Sequence, residues 1–331
     1  MSHEITIRSN GFAEMASRGK EWHYGDTAHQ IIAADASIED IQQAAGMDWR
    51  IQRGKVRYAT GHGQGADAFA TMDDQHVLMR SDTKAPLGIV SDKYKVVQPA
   101  QVVEFFRDLT EKAGFQIETA GTLFGGRKFW CLASIGDSCE IVPGDKVGGY
   151  LMLATSSDGS SATIGQFTTV RVVCNNTMQM TLAQKGQHKI THRTVFSPEA
   201  MRSKLGIAHE MFGDFARNSA ALADKAVSKH RAERLLVELL APKLAIAPTL
   251  PELEKVTDSL AFKKILGLFD GAGKGSRMDG VQGTAWGWLN AVTEYADHHV
   301  RATSAENRMQ SAWFGAGADL KERALQLATA F

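Results

Sequence analysis

The sequence predicts an α+β fold, in which a mainly antiparallel sheet with a β-β-α-β-β-β core is followed by a helical C-terminal region. Two observations support this fold class. Between residues 76 and 196, apolar segments of strand length alternate with turn signals, and one helical stretch interrupts them. From residue 197 onward, apolar residues recur at intervals of three and four. We therefore expect an N-terminal segment at 1–75, an α+β sheet domain at 76–196 and a helical region at 197–331.

The overall composition limits the class of protein. The chain has 331 residues, of which 44% are hydrophobic and 22% charged, and its net charge is zero. A zero net charge argues against a uniformly basic nucleic-acid binder, but it leaves room for a local basic surface. Three cysteines without CxxC spacing argue against a disulfide framework and favour a reducing compartment. With neither a signal-peptide pattern nor an 18-residue apolar run, we expect a protein of the host cell cytoplasm with no membrane span.

The N-terminal segment contains one helix with clear end signals. SIEDIQQAAG, residues 37–46, places Ser37 at the N-cap with Asp40 three positions later, and it closes on a glycine. The alternating residues 47–60 predict a hairpin, and the glycine-rich residues 61–75 predict a loop.

The middle of the chain predicts the sheet and one helix. Pro99 suits the first position of a helix, where its missing N–H leaves no hydrogen bond unmade. The Gly125–Gly126 pair suits a hairpin turn. The predicted elements are strands at 76–82 and 87–98, a helix at 99–114, a hairpin at 115–136 and further strands at 150–183 around a DGSS turn.

The last third of the chain predicts helices. The first begins with Ser197 as N-cap and Pro198 at the first position. The glycine-rich residues 269–286 lack the GxxxxGK[ST] spacing of a phosphate-binding loop, so nucleotide triphosphate hydrolysis is not expected. A basic loop that meets a phosphate backbone and a plain solvated loop remain alternatives there. The predicted helices cover 197–227, 230–240, 253–269, 282–300 and 317–330.

The stretch GTAWGWLNAVTEYADHH, residues 283–299, is the candidate metal or acid–base site. Glu294 and His298 are four residues apart, which is the spacing of a helical metal-binding pair. Zinc sites need three or four ligands, however, and the sequence has no HExxH or CxxC motif to complete one. We therefore expect no cofactor and interpret the stretch as an amphipathic helix whose polar side faces solvent or another subunit. A metal-dependent enzyme that uses this pair is the alternative.

Basic residues alternate with aromatic residues in three segments of the predicted sheet. This pattern is one way to hold single-stranded nucleic acid, because cations follow the phosphates and rings stack on the bases. Any half-exposed antiparallel strand shows a similar alternation, so the aromatic side chains could instead lie on the core face. The candidate nucleic-acid-binding residues are Lys93, Lys95, Arg127, Lys128 and Arg171 for the phosphates and Tyr94 and Trp130 for the bases.

A series of long motifs resembles one known family. The motifs are AAGMDW, LGIVSDKYKVVQ, ETAGTLFGGRKFW, SSDGSS, TTVRVVCNNT, GTAWGWLNAVTEYADH and SAWFGAGADLKERAL. They are similar to the phage/plasmid-like protein family, also known as domain of unknown function 932, over about residues 20 to 328. The chain departs from that pattern at residues 22–26, where it reads WHYGD and many members read WHGLG.

That resemblance implies a mobile-element origin and a role in DNA metabolism or host interaction. The predicted order of elements is also similar to the core of single-strand annealing proteins, which form rings and hold single-stranded DNA in a basic groove. We therefore expect a single-stranded DNA binding or annealing protein that acts in recombination as a homo-oligomer, such as a ring. The alternative is a host-interaction or assembly protein that binds no nucleic acid. The sequence favours a binding protein over an enzyme.

Overall fold

The computed structural model describes residues 6–18, 29–33, 35–62, 65–173, 176–179, 187–190, 208–244 and 249–330. The WHYGD segment and the predicted helix start at Ser197 lie outside these residues. The chain forms two compact units, each discontinuous in sequence, whereas the predicted divisions were consecutive. The first unit comprises 1–135, 151–166 and 187–206, and the second comprises 136–150, 167–186 and 207–331.

The strands occupy the first two thirds of the chain. They are β1 (Met15–Ser17), β2 (Gln30–Ile31), β3 (Ile51–Ala59), β4 (Phe69–Arg80), β5 (Pro86–Ser91), β6 (Gln116–Leu123), β7 (Lys128–Glu140), β8 (Lys146–Ser156), β9 (Thr163–Arg171), β10 (Asn176–Gln179) and β11 (Gln187–Ile190).

Seven of the ten described α-helices lie after residue 207. The ten are α1 (Ile38–Ala44), α2 (Pro99–Glu104), α3 (Arg107–Ala113), α4 (Ala208–Ala223), α5 (Lys229–Leu240), α6 (Leu250–Thr257), α7 (Leu260–Gly267), α8 (Ala285–Glu294), α9 (Ala305–Phe314) and α10 (Ala316–Ala330). Turns of π-helix extend α7 over Leu268–Ala272 and α8 over Tyr295–His299. None of the described helices is both long and apolar enough to cross a membrane.

The strands form two sheets. The smaller sheet belongs to the first unit and has the antiparallel order β3-β4-β5. The larger sheet has the order β10-β9-β8-β7-β6-β1-β2, and β11 also pairs with β9. The strands β7, β8 and β9 each contain residues of both units. The short β1–β2 pair is parallel, so this sheet is mixed. The predicted α+β class, with antiparallel pairing and C-terminal helices, is confirmed at this level.

Several local predictions are confirmed by the backbone. The Ser37 hydroxyl accepts a hydrogen bond from the Asp40 N–H at 3.1 Å, and the Asp40 carboxylate accepts one from the Ser37 N–H, which completes a capping box. Gly46 and Gly114 end their helices with positive φ angles, which glycine adopts without strain. End signals of this kind depend on neighbours in sequence, so they can be predicted without the tertiary structure.

Two element predictions are wrong. Residues 47–60 were predicted to form a hairpin, but they supply one strand, β3, which pairs with β4 across a register shift after Lys55. The predicted helix at 99–114 is two helices that break at Phe105 and Phe106. Both rings are fully buried and meet edge to face with centroids 5.0 Å apart. Adjacent residues of one straight helix point about 100° apart, so the break lets both rings enter the core.

The second unit is built around α8. All ten residues of this helix are buried, including Trp286, Trp288 and Glu294. The prediction of an amphipathic helix with a polar outer side is therefore wrong. Asn290 and Thr293 donate side-chain hydrogen bonds to carbonyl oxygens of the same helix, and Glu294 accepts one from the Lys274 N–H.

The π-helical turn that extends α8 carries one half of a buried ion pair. The Lys321 ammonium on α10 lies 2.6 Å from an Asp297 carboxylate oxygen and also donates a hydrogen bond to the Thr177 hydroxyl at 2.9 Å. The other Asp297 oxygen accepts hydrogen bonds from the Thr177 N–H and hydroxyl. Neither charged side chain is more than 3% exposed. The pair therefore has little access to water and depends on these contacts.

We expect Lys321→Met to lower the free energy of unfolding by about 3–5 kcal/mol, because it leaves the Asp297 carboxylate buried without its counter-charge. Urea unfolding followed by circular dichroism would measure the change. Lys255→Met, at an exposed position on α6, is the control and should shift stability by no more than about 0.5 kcal/mol. Equal effects of the two substitutions would contradict this account of the pair.

Candidate functional site

A row of basic side chains runs along β3 in the first unit. Alternate residues of a strand share one face, so Arg53, Lys55 and Arg57 lie on the same side as the buried Ile51. All three basic side chains are exposed. The row therefore begins at the core and continues outward along the strand as a cationic surface.

Tyr94 joins this row to the segment that carries two predicted lysines. Its carbonyl oxygen accepts a hydrogen bond from the Arg53 guanidinium, and its hydroxyl donates one to the Ser156 carbonyl oxygen at 2.8 Å. The backbone is thereby held so that Lys93 and Lys95, on either side of Tyr94, are both exposed. Tyr94 itself is buried, and burial raises the pKa of its hydroxyl. It anchors the cationic surface and does not offer its ring to a base.

The SSDGSS turn links this segment to the other predicted basic pair. The Ser157 hydroxyl donates a hydrogen bond to the Gly126 carbonyl oxygen at 3.0 Å, and the Ser157 N–H donates one to the Arg127 carbonyl oxygen at 2.7 Å. Arg127 is exposed and Lys128 half-buried. Burial lowers the pKa of the Lys128 ammonium, and the charge of Asp158 partly offsets this effect. Four of the predicted phosphate contacts are therefore carried by segments that Tyr94 and Ser157 hold together.

The buried Arg80 side chain holds the turn that carries Arg127 in place. The Arg80 guanidinium lies 2.7 Å from a Glu14 carboxylate oxygen, and it donates a hydrogen bond to the Gly125 carbonyl oxygen at 3.2 Å. It also stacks over the Trp49 ring, 4.4 Å from the centroid. Gly126 has a φ of +95°, and a Cβ there would come within 2.5 Å of the Trp49 ring, so glycine is required at this turn.

Two exposed aromatic residues lie close to the basic row. Neither was among the candidate base-stacking residues named from the sequence. Phe69 is 54% exposed and pairs with Ala59, which places it on the same face of the sheet as Arg57. Tyr58 is 52% exposed but pairs with Ala70, on the opposite face. The alternating RGKVRY segment, interpreted as half of a local hairpin, is the signal that could have revealed Tyr58. Phe69 gave no such signal, because it lies within residues 61–75, which were predicted to form a loop.

Arg171 and Trp130 do not belong to this surface. Trp130 is 1% exposed and lies in the core of the first unit. Arg171, 3% exposed, belongs to the second unit, where its Nε lies 2.6 Å from an Asp145 oxygen. The other Asp145 oxygen accepts a hydrogen bond from the Trp286 indole N–H at 2.8 Å. The prediction that these two side chains are offered to DNA therefore needs correction, because a ligand does not reach them.

The Glu294 and His298 pair is not brought together as predicted. Because α8 continues into a π-helical turn, the imidazole that approaches Glu294 is that of His299, with its Nε2 3.6 Å from the carboxylate. The other Glu294 oxygen accepts a hydrogen bond from the Lys274 N–H at 2.9 Å. Within the described residues, no group of three or more His, Cys, Asp or Glu side chains could hold a metal ion.

The comparison with known proteins identifies one family. Among curated proteins and among solved structures, none matches the chain significantly. Residues 86–313, more than half of the chain, match a family described as a domain of unknown function, DUF932. The matched range includes Lys93, Lys95, Arg127 and Lys128, but it begins after the basic row of β3. The chain is a member of the DUF932 family.

Proposed function

We propose that the first unit binds single-stranded DNA and that the protein acts in strand annealing. The DNA would lie along the basic row of β3 at 53–57, the segment 93–95 around Tyr94 and the turn at 124–128. The observation that carries the proposal is the pair of hydrogen bonds made by Tyr94 to Arg53 and Ser156. These contacts join basic residues that are far apart in sequence into one surface. Its members are Arg53, Lys55, Arg57, Lys93, Lys95, Arg127 and Lys128.

The distribution of acidic groups also supports the proposal. The Asp92 carboxylate is already paired with His76, and Asp158 lies near the half-buried Lys128. The segment 50–62 of β3 and its flanks contains no carboxylate at all. The exposed Asp73 and Asp74 of β4 lie at the register shift opposite Lys55 and Val56. The seven basic residues of the surface still outnumber these four carboxylates, which gives a local excess of positive charge within a chain of zero net charge, as a binder of a phosphate backbone requires.

The exposed ring of Phe69 supports single-stranded DNA, not double-stranded DNA, as the proposed ligand. An exposed ring beside a basic row can stack on an unpaired base, whereas the bases of a duplex are stacked on one another. Tyr58 offers a natural comparison, because its exposure is similar and it lies on the opposite face.

The salt dependence of binding provides the first test. Arg57→Gln and Lys93→Gln should each weaken binding and reduce the slope of log affinity against log salt by about 0.7, because each removes one phosphate contact with a single strand. Fluorescence anisotropy with a labelled, unstructured oligonucleotide at several salt concentrations would measure both quantities. Lys255→Gln, an exposed lysine of the second unit, should change neither. Wild-type binding that does not vary with salt would rule out the proposal.

The aromatic residues provide the second test. Phe69→Ala should weaken binding to single-stranded DNA by about 1–3 kcal/mol and leave the salt slope unchanged, because a stacking contact releases no counterion. Tyr58→Ala should bind as the wild type does. If the two substitutions have equal effects, the DNA does not follow the face that carries the β3 row.

A second candidate function, assembly, is favoured by the opposite face of the same small sheet. Val56, Tyr58, Met72 and Ile89 share this face, and the last three are among the more exposed large apolar side chains of the described residues. An exposed apolar patch of this kind is typical of an interface between proteins. We propose that it contributes to a homo-oligomer.

The proposed assembly can be tested separately from DNA binding. Ile89→Asp should lower the mass measured by light scattering, because it places a carboxylate in the apolar contact. Ile7→Asp, at a similarly exposed position outside the small sheet, is the control. A wild-type protein that is monomeric at all concentrations would exclude the homo-oligomer.

A further inference from the structure

The π-helical turn that ends at His299, in the second unit, packs against two helices that each carry a basic side chain. The π-helical turn Tyr295–His299 contacts both α7 and α9. Lys264 lies in the last turn of α7 and Arg308 in the first turns of α9. The pKa of His299 is lowered first by burial, and the charges of Lys264 and Arg308 lower it further. Three elements of the unit therefore bring basic groups to one place.

The two flanking cations have no counter-charge of their own. Among the described residues, neither the Lys264 ammonium nor the Arg308 guanidinium forms an ion pair, whereas the adjacent Lys263 pairs with Asp258 at 2.8 Å. The Nε atom of Arg308 is buried and has no hydrogen-bond acceptor in the described part of the chain. A buried donor without an acceptor is costly and uncommon in folded proteins. The Nε atom itself is enclosed, but Arg308 as a whole is half-buried, so its terminal guanidinium nitrogens are the donors that a ligand could reach.

Glu294 is the nearby carboxylate, and it is already engaged. One of its oxygens accepts the hydrogen bond from the Lys274 N–H, and the other lies 3.6 Å from His299 Nε2. Its side chain is 7% exposed, so it has little freedom to turn toward Lys264 or Arg308. Among the described groups whose charge acts on His299, one carboxylate is set against two permanent cations.

We propose that Lys264, His299 and Arg308 form a binding site for a phosphate group. Arginine presents a planar set of N–H donors that matches phosphate oxygens, and lysine adds a point charge. This site belongs to the second unit and involves none of the residues proposed to bind DNA.

The test is a titration of the full-length protein with inorganic phosphate, followed through the imidazole resonances in NMR spectra. The signals of His299, assigned by their loss in His299→Gln, should shift on addition of phosphate. Arg308→Gln and Lys264→Gln should each weaken phosphate affinity by about tenfold, since each removes a charge-assisted contact. Lys263→Gln is the matched control on the same helix, and Arg323→Gln, exposed on α10, is the arginine control.

Further arms of the experiment identify the source of the phosphate. Equal affinity for inorganic phosphate and for a nucleoside monophosphate means that the phosphate group alone is recognised, and tighter binding of the nucleotide means that the site also accepts its base or sugar. The nucleoside without phosphate should cause no shift. Lys264 is exposed, so Lys264→Gln keeps the test valid if Arg308→Gln fails to fold. The proposal is overturned if phosphate leaves the His299 signals unchanged, or if Lys264→Gln and Lys263→Gln bind phosphate equally.

Discussion

The ion pair between Arg80 and Glu14 is the contact on which the exposed surface of the first unit depends. Both side chains are buried, and the guanidinium also reaches Gly125 and the Trp49 ring. A buried charge without its partner costs several kcal/mol, so the pair ties the end of β4 to the segment before β1. The turn that presents Arg127 rests on this arrangement. The exposed basic surface proposed to bind DNA is thus supported by an interior cation that is fully paired.

The positive charges of the protein fall into two classes with different consequences. Arg80, Arg171 and Lys321 are buried with carboxylates and determine how elements pack within their own unit. Arg57 and Lys93 are exposed and make no comparable contact among the described salt bridges. The formal net charge gives no indication of this division, because it adds both classes to the same sum. Only the exposed class can contact a ligand without unfolding part of the protein.

The sequence predicted helix starts and turns better than it predicted which side chains are buried and what they contact. Ser37 and Gly125 act through neighbours in the chain, so the helix start and the hairpin turn could be predicted. Arg171 could not be placed, because its partner Asp145 lies 26 residues earlier, and alternation along a strand does not show which face is covered. Glu294 was misjudged for the same reason: polar residues on a helix suggest solvent unless the buried donor that satisfies them is known. The exposed Phe69 was missed because β4 begins within a predicted loop.

The position of β3 at the edge of the small sheet has a consequence for solubility. An edge strand presents unpaired backbone N–H and C=O groups, which another chain can use to extend the sheet into an aggregate. Charged side chains along such a strand keep copies apart, and β3 carries three of them on one face. The same residues that would attract DNA therefore also protect the strand from pairing with itself. Any variant in which all three are neutralised loses that protection, so single substitutions are the sounder way to study this surface.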